Sequence, residues 1–216
     1  MKVLIIVYNR LTLPRAIADW VAERGCEPIF IDNGSDYPPL LKYYGDTKYQ
    51  VFRMGQNYGH TVVWEPMLNV IEKLGITGRY IVTDPDLDLT GVPNDFLEVM
   101  NRGLDLFPEY DKCGLSLEIN DLPYTKEGWK VKNTFEAKYW REPLNEHYFK
   151  ADTDTTFAMY REGVKHYSHS AIRTNRPYTA RHIPWYYTNF AALSEEEKYY
   201  FHTANESSSG KKRLME

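Results

Sequence analysis

The sequence predicts an α/β domain with a mostly parallel central sheet flanked by helices, and three observations predict it. Lys2–Val7 (KVLIIV) is an almost continuous apolar, β-branched run, the pattern of a central strand covered on both faces. Strand-like and helix-like segments then alternate up to residue 117, the rhythm of parallel strands joined by crossover helices. Several strand ends run into loops of Asp, Asn and Gly, and ligands of such sheets gather at the carboxyl ends of strands.

Taken in order, Tyr8-Asn9-Arg10 leaves the first strand, and Thr12 with Pro14 opens a helix whose apolar positions Ile17, Trp20 and Val21 lead to a stop at Gly25. Pro28–Ile31 reads as a second strand, followed by the turn-forming run Asp32-Asn33-Gly34-Ser35-Asp36. Tyr49–Arg53 reads as a third strand. The glycine-containing loop Gly55–His60 precedes a helix expected over Thr61–Leu74, in register on Val62, Val63, Met67, Leu68, Val70 and Ile71. The fourth strand is Tyr80–Thr83, and it ends in Asp84-Pro85-Asp86-Leu87-Asp88. Pro93 or Asn94 begins the next helix, with Phe96, Leu97, Val99, Met100 and Leu104 on its apolar side, and Lys112–Leu117 reads as a fifth strand.

Beyond residue 117 the periodicity fades. Short strands are expected at Tyr148–Lys150 and Thr155–Tyr160 around Asp152-Thr153-Asp154, a short helix within Thr134–Trp140, and a compact aromatic stretch at Ala180–Tyr187. Ser194 with Glu197 three residues on has the form of a capping box and predicts a helix over Ser194–Phe201. The expected organisation is one domain over 1–206, divided into 1–117 and a less regular 118–206, with 207–216 a flexible basic tail or a linker to further domains.

Composition narrows the chemistry. The 216 residues suffice for one substantial core, and a net charge of −4 with mixed signs offers no broad basic field for nucleic acid. The 18 Tyr, 9 Phe and 5 Trp suit core packing and the amphipathic walls of a sugar-binding cleft alike. Cys26 and Cys113 show no metal-ligand spacing and no disulfide framework, which fits a reducing, cytoplasmic location. The first apolar run is too short for a signal-peptide core or a membrane span.

The acidic loop is the sharpest chemical signal. Three carboxylates at alternate positions repel one another, and Pro85 has no N–H to continue a strand ladder, so a divalent cation is the simplest partner. Hard oxygen ligands favour Mg²⁺ or Mn²⁺, which proteins commonly hold with one or two carboxylates plus substrate phosphates. A solvated acidic turn has the same composition.

The opening strand into Tyr8-Asn9-Arg10, the Asp32–Ser35 turn, Asn57 with Gly59, and Asp84-Pro85-Asp86, in that order, together resemble glycosyltransferases of the GT-A fold, in the broad family-2 group. The later segments Asp154–Ala158 and Arg181–Tyr186 resemble a smaller subgroup of bacterial and large-DNA-virus enzymes, capsid-glycan enzymes among them. The resemblance implies a GT-A-like, Rossmann-like sheet and transfer of a hexosyl or deoxyhexosyl group. The donor would be a nucleoside-diphosphate sugar, UDP-linked first, and the acceptor a hydroxyl of a glycan or glycoconjugate, with Mn²⁺ or Mg²⁺ as cofactor and inversion as the outcome.

It implies Asp86 as direct metal ligand, Asp84 toward metal or ribose, and His182 closing the metal site. Asp32 would accept from the base, Tyr8 stack near it, Arg10 lie toward phosphate, and Arg53 and Asn57 line the nucleotide pocket. Asp154 is the first candidate for general base, ahead of Asp152, Glu118 and Asp121, the last of which could hold donor hydroxyls. Each has a plainer alternative: Asp32 a turn residue, Arg53 a surface charge, His182 a structural histidine, Asp154 and Asp121 turn caps. Asp88 is expected to be structural. A sugar-phosphate nucleotidylyltransferase is disfavoured because no glycine-rich loop follows the first strand, and a non-catalytic nucleotide- or carbohydrate-binding module of the same fold remains the alternative from another class.

Overall fold

Strand alternation divides the first strand between two cores: Val3, Ile5 and Val7 enter one, Leu4 and Ile6 the other. The structure, a computed structural model, describes residues 1–206, 208 and 210–215. In chain order its strands are β1 Lys2–Val7, β2 Glu27–Asp32, β3 Gln50–Arg53, β4 Tyr80–Thr83, β5 Leu87–Asp88, β6 Lys112–Gly114, β7 Ser116–Leu117, β8 Tyr148–Lys150, β9 Ala158–Tyr160, β10 Ala171–Thr174 and β11 Thr179–His182. The helices are α1 Thr12–Ala22, α2 Pro38–Asp46, α3 Val70–Lys73, α4 Phe96–Leu106, α5 Lys126–Lys130, α6 Glu195–Thr203 and α7 Lys211–Met215.

Eight strands form one sheet in the order β3-β2-β1-β4-β9-β6-β10-β8. β1 pairs in parallel with β2 on one side and β4 on the other, and β2 with β3. The expected α/β architecture with a mostly parallel sheet is therefore present. Two strands run against it: β9 is antiparallel to both β4 and β6, and β8 to β10. The buried faces of α1 and α4 cover one side, with Ile17, Val21, Phe96 and Met100 packed on Val3, Ile5, Ile81 and Phe157. Val62, Trp64, Val70 and Ile71 cover the other.

A second, three-stranded sheet in the order β5-β11-β7 stands at the carboxyl end of the first. The fifth strand expected over 112–117 is thus two strands, the chain leaving the large sheet at Gly114 and joining the small one at Ser116. A Cβ on Gly114 would lie 2.4 Å from Thr153 Cγ2, so the close approach of the Thr153 loop needs glycine there.

The long helix expected over 61–74 does not form. Pro66 lacks an N–H and pushes Glu65 into extended backbone (ψ 115°), leaving a 3₁₀ turn at Val62–Trp64 before it and the four-residue α3 after a left-handed Asn69. α2 was not expected, because only Leu40 of its nine residues is buried and the apolar period is faint. Thr134–Trp140 is a π-helical turn ending at Phe135 and a 3₁₀ turn at Ala137–Trp140. At the far end, where a flexible tail is expected, Lys211–Met215 are helical; Leu214 packs with Leu193 and Phe201, and Lys211 Nζ donates to the Ala204 carbonyl at 2.6 Å. Ser207, Ser209 and Glu216, also part of that tail, lie outside the described residues.

Phe157 enters the shared core beside β9, its ring 5.8 Å from Phe96 and 6.4 Å from Trp20. Phe157→Ala is expected to lower the free energy of unfolding by about 3–5 kcal/mol in urea denaturation, the scale of a large core truncation. A change of less than about 1 kcal/mol would mean that the site collapses around the cavity.

Candidate functional site

β1 has β2 on one side and β4 on the other, so successive connections diverge at its carboxyl end and open a crevice there. A cavity of about 390 Å³ occupies it. Tyr8 and Arg10 reach it from the end of β1, Asn57 and His60 from the loop after β3, and Asp84 and Asp86 from the end of β4. Asp154 enters from the loop before β9 and His182 from the end of β11, while Tyr200 of α6 closes one wall.

Its electrostatic centre is Arg10, fully buried. Nη1 donates to Asp86 Oδ2 at 2.7 Å, and Nε and Nη2 donate to the Glu197 carboxylate at 2.8–3.2 Å. The Tyr200 ring lies over the guanidinium, 3.5 Å from its carbon. Burial alone would lower the Arg10 pKa, but Asp86 and Glu197 outweigh it and hold the charge more firmly than usual. Arg10, expected on the phosphate side, lines the cavity and donates from Nε, Nη1 and Nη2 to carboxylates. Ser194 does cap α6 by accepting from the Glu197 N–H, yet the Glu197 side chain turns away from the box to Arg10.

Asp84 and Asp86 both line the cavity, and each has one oxygen held by the protein. Asp84 Oδ1 accepts from Thr155 Oγ1 at 2.6 Å, and Asp86 Oδ1 is buried with no hydrogen-bond partner. Pairing of β11 with β5 sets His182 opposite Leu87, and the Ile183 N–H donates to the Asp86 carbonyl, so His182 Nε2 stands 3.5 Å from Asp86 Oδ1. Its Nδ1 is also buried without a partner. Burial first, outweighing Asp86, lowers the His182 pKa and favours the neutral imidazole. Burial and the neighbouring Asp86 raise that of Asp84 to about 7.

Among the described residues no three His, Cys, Asp or Glu form a ready-made metal cage. Asp86 Oδ1, without a partner, the facing His182 Nε2 and the repelled Asp84 carboxylate nevertheless fit a hard divalent cation that takes its remaining ligands from water or a bound phosphate.

Asp154 adopts left-handed backbone, φ 48°, and three contacts hold it there. The fully buried Lys112 donates from Nζ to its carbonyl at 2.6 Å, its N–H donates to Asp152 Oδ1, and Tyr167 O–H donates to its Oδ1 at 2.6 Å. Burial lowers the Lys112 pKa. Asp152 accepts from His169 and lies 3.4 Å from Lys112; although burial opposes it, these partners keep its pKa low.

Asp32, Arg53 and Asp121 do not line the cavity. Asp32 is fully buried, and both its oxygens have partners, Tyr44 O–H at 3.3 Å and Arg53 Nε at 3.1 Å, so it has no acceptor turned toward a base. Arg53, half-exposed, is held by that pair. Asp121 accepts from Arg181 Nε and Tyr186 O–H at 2.6 Å; burial opposes, but these donors keep its pKa low. Glu118 is paired with Arg176, and Asp88 caps the Thr90 turn. Asn57 accepts from Asn33 and its own Gly59 N–H, fixing the loop after β3. Thr155, Glu197 and Tyr200 were not foreseen as site residues; Thr155 lay within a segment already singled out, whereas Glu197 carried only a capping signal.

The topology and cavity define an α/β protein with a ligand crevice at the switch point of a mostly parallel sheet. No protein-family model matches the sequence, and no curated protein matches it. Among solved structures it is similar to the mannosyltransferase PcManGT from Pyrobaculum calidifontis in complex with GDP-Man and Mn²⁺, at 17% identity and TM-score 0.46 over 74% of this chain and 44% of that one. It is also similar to S. aureus TarS 1–349, at 14% identity and TM-score 0.40 over 74% and 46%. The chain thus spans less than half the length of either.

The Asp84 carboxyl supplies a pH test. Its folded value is raised from 3.8 to about 7, so the folded state binds this proton more tightly; the stabilisation is fully present below 3.8 and is lost as pH rises through about 7. Between about pH 5 and about pH 8 the wild type is expected to lose stability relative to Asp84→Asn in urea denaturation. Parallel curves for the two proteins would show that the carboxyl is not destabilised.

Proposed function

We propose that the chain is a metal-dependent glycosyltransferase that moves a sugar from a nucleoside-diphosphate donor, UDP-linked first, to a hydroxyl of a glycan or glycoconjugate, with inversion. The observation that carries this reading is the pair Asp84 and Asp86 lining a switch-point crevice beside a neutral imidazole, with Asp86 Oδ1 buried and without a hydrogen-bond partner. Asp86 Oδ1, the second oxygen of Asp84 and His182 would hold Mn²⁺ or Mg²⁺. The bound ion supplies electrostatic stabilisation to the diphosphate as it leaves.

The chain's own residues do the rest. Tyr8, Asn57 and Asp154 line the same cavity, so a nucleoside held against Tyr8 and Asn57 would leave the anomeric carbon to face Asp154. Asp154 accepts the proton of the acceptor hydroxyl as its oxygen bonds to that carbon and the bond to the diphosphate oxygen breaks. Lys112 holds the Asp154 backbone and Tyr167 its carboxylate, so the base stays aimed with little reorganisation. Asp121, held by Arg181 and Tyr186 outside the cavity, is assigned no proton transfer. Trp185, whose ring centroid is 4.7 Å from that of His182, offers a flat face near the acceptor side.

One observation favours a second reading, a metal-independent nucleotide-binding module: Arg10 already neutralises one oxygen of Asp86. The two readings separate in calorimetry. Mn²⁺ is expected to tighten UDP binding at least about tenfold, ~1.4 kcal/mol, and Asp86→Asn to remove that gain; equal affinity with and without metal would exclude the metal-dependent reading. For the catalytic role, Asp154→Asn is expected to keep donor binding while transfer falls by about two orders of magnitude or more. Unchanged turnover would place the base elsewhere, and no turnover in either protein with any nucleotide sugar would favour the binding module.

A further inference from the structure

A surface outside the cavity carries chemistry that sugar transfer does not use. Between residues 124 and 141 the chain is basic, with Lys126, Lys130, Lys132, Lys138 and Arg141 against Glu127 and Glu136, in a protein whose net charge is −4. Glu136 is buried against Arg173 and contributes no surface charge. The same stretch exposes three aromatic rings: Tyr124 is fully exposed, Trp129 65% and Phe135 51%. Lys130 Nζ lies 4.7 Å from the Phe135 ring centroid, so cation and ring share one surface.

These rings are not spare core. The inward side of α5 and the turn after it is already filled by Gly128 and Val131, the latter packed with Ile119 and Leu122 against Trp140, Trp185 and Tyr186. What remains outside is a short amphipathic element with aromatic rings among lysines, the composition of segments that lie in a membrane interface rather than of a solvated face.

We propose that α5 and the turns following it dock on an anionic lipid bilayer, with Trp129 and Phe135 entering the headgroup region and the lysines meeting acidic headgroups. Charge complementarity selects this occupant: each lysine at an anionic surface contributes roughly fivefold to partitioning, while the acidic remainder of the molecule is repelled and so sets the orientation. α5 packs on the turn Ile183–Tyr186, directly after His182. Docking therefore turns the His182 side of the cavity toward the lipid. The inference goes beyond the proposed activity and does not rest on it.

The test is cosedimentation of the full chain with vesicles of phosphatidylcholine plus phosphatidylserine and with phosphatidylcholine alone. Binding is expected to the first, weakened by salt, and much less to the second, with tryptophan emission quenched by brominated acyl chains. Trp129→Ala/Phe135→Ala should abolish the quenching, and that variant and Lys130→Glu/Lys132→Glu should each lower binding by at least about tenfold, with circular dichroism confirming that both fold. Equal binding to neutral vesicles, or either double variant binding like the wild type, overturns the proposal. So does wild-type self-association in light scattering that the same substitutions abolish without any vesicle binding, which would make the surface a contact between copies of the chain.

Discussion

A buried guanidinium joins the two ends of this chain. Arg10 leaves the first strand, is enclosed, and finds its countercharges on Asp86 after β4 and Glu197 on α6. Removing one partner from a buried ion pair typically costs about 3–5 kcal/mol, because the remaining charge has no water to turn to. That is comparable with the whole stability of many domains, so α6 is held against the crevice by a constraint stronger than its own weak amphipathic pattern. The wall formed by Tyr200 follows from it.

The same constraint shapes the chemistry of the acidic loop. Asp86 divides its oxygens, one bonded to Arg10 and one buried without a hydrogen-bond partner, while Thr155 takes one oxygen of Asp84. Two carboxylates so placed cannot both be comfortable as anions without further positive charge, which the raised Asp84 pKa expresses. Across the cavity Asp154 is held in a conformation unfavourable for a residue with a side chain, by a lysine that the sheet itself buries. Strain at one side and unmet charge at the other are both maintained by the rigid strands between them.

Parts of this arrangement are legible along the chain because they depend on neighbours in sequence. β1, β2 and β4 are apolar through their centres, and the polar residues that follow them reflect turn chemistry. The helix that apolar spacing predicts over 61–74 does not form because Pro66 interrupts it, a local constraint that outweighs period. Glu197 was read as a capping residue, and its Ser194 partner does cap; nothing within four residues indicates that the carboxylate belongs to Arg10, 187 positions away. Asp32 likewise has the right position after β2 but not the right surroundings, since Tyr44 on the unforeseen α2 and Arg53 take its oxygens.

The sequence by itself determined the α/β class, the places of the first four strands along the chain and the clustering of acids after β4, because period, turn residues and like-charge crowding act over a few residues. Tertiary structure alone decided that β9 inserts antiparallel beside β4, that β11 carries His182 to Asp86, and that Asp86 keeps a buried oxygen without a hydrogen-bond partner. Those outcomes depend on which distant groups reach a buried charge first, and burial is a property of the packed molecule.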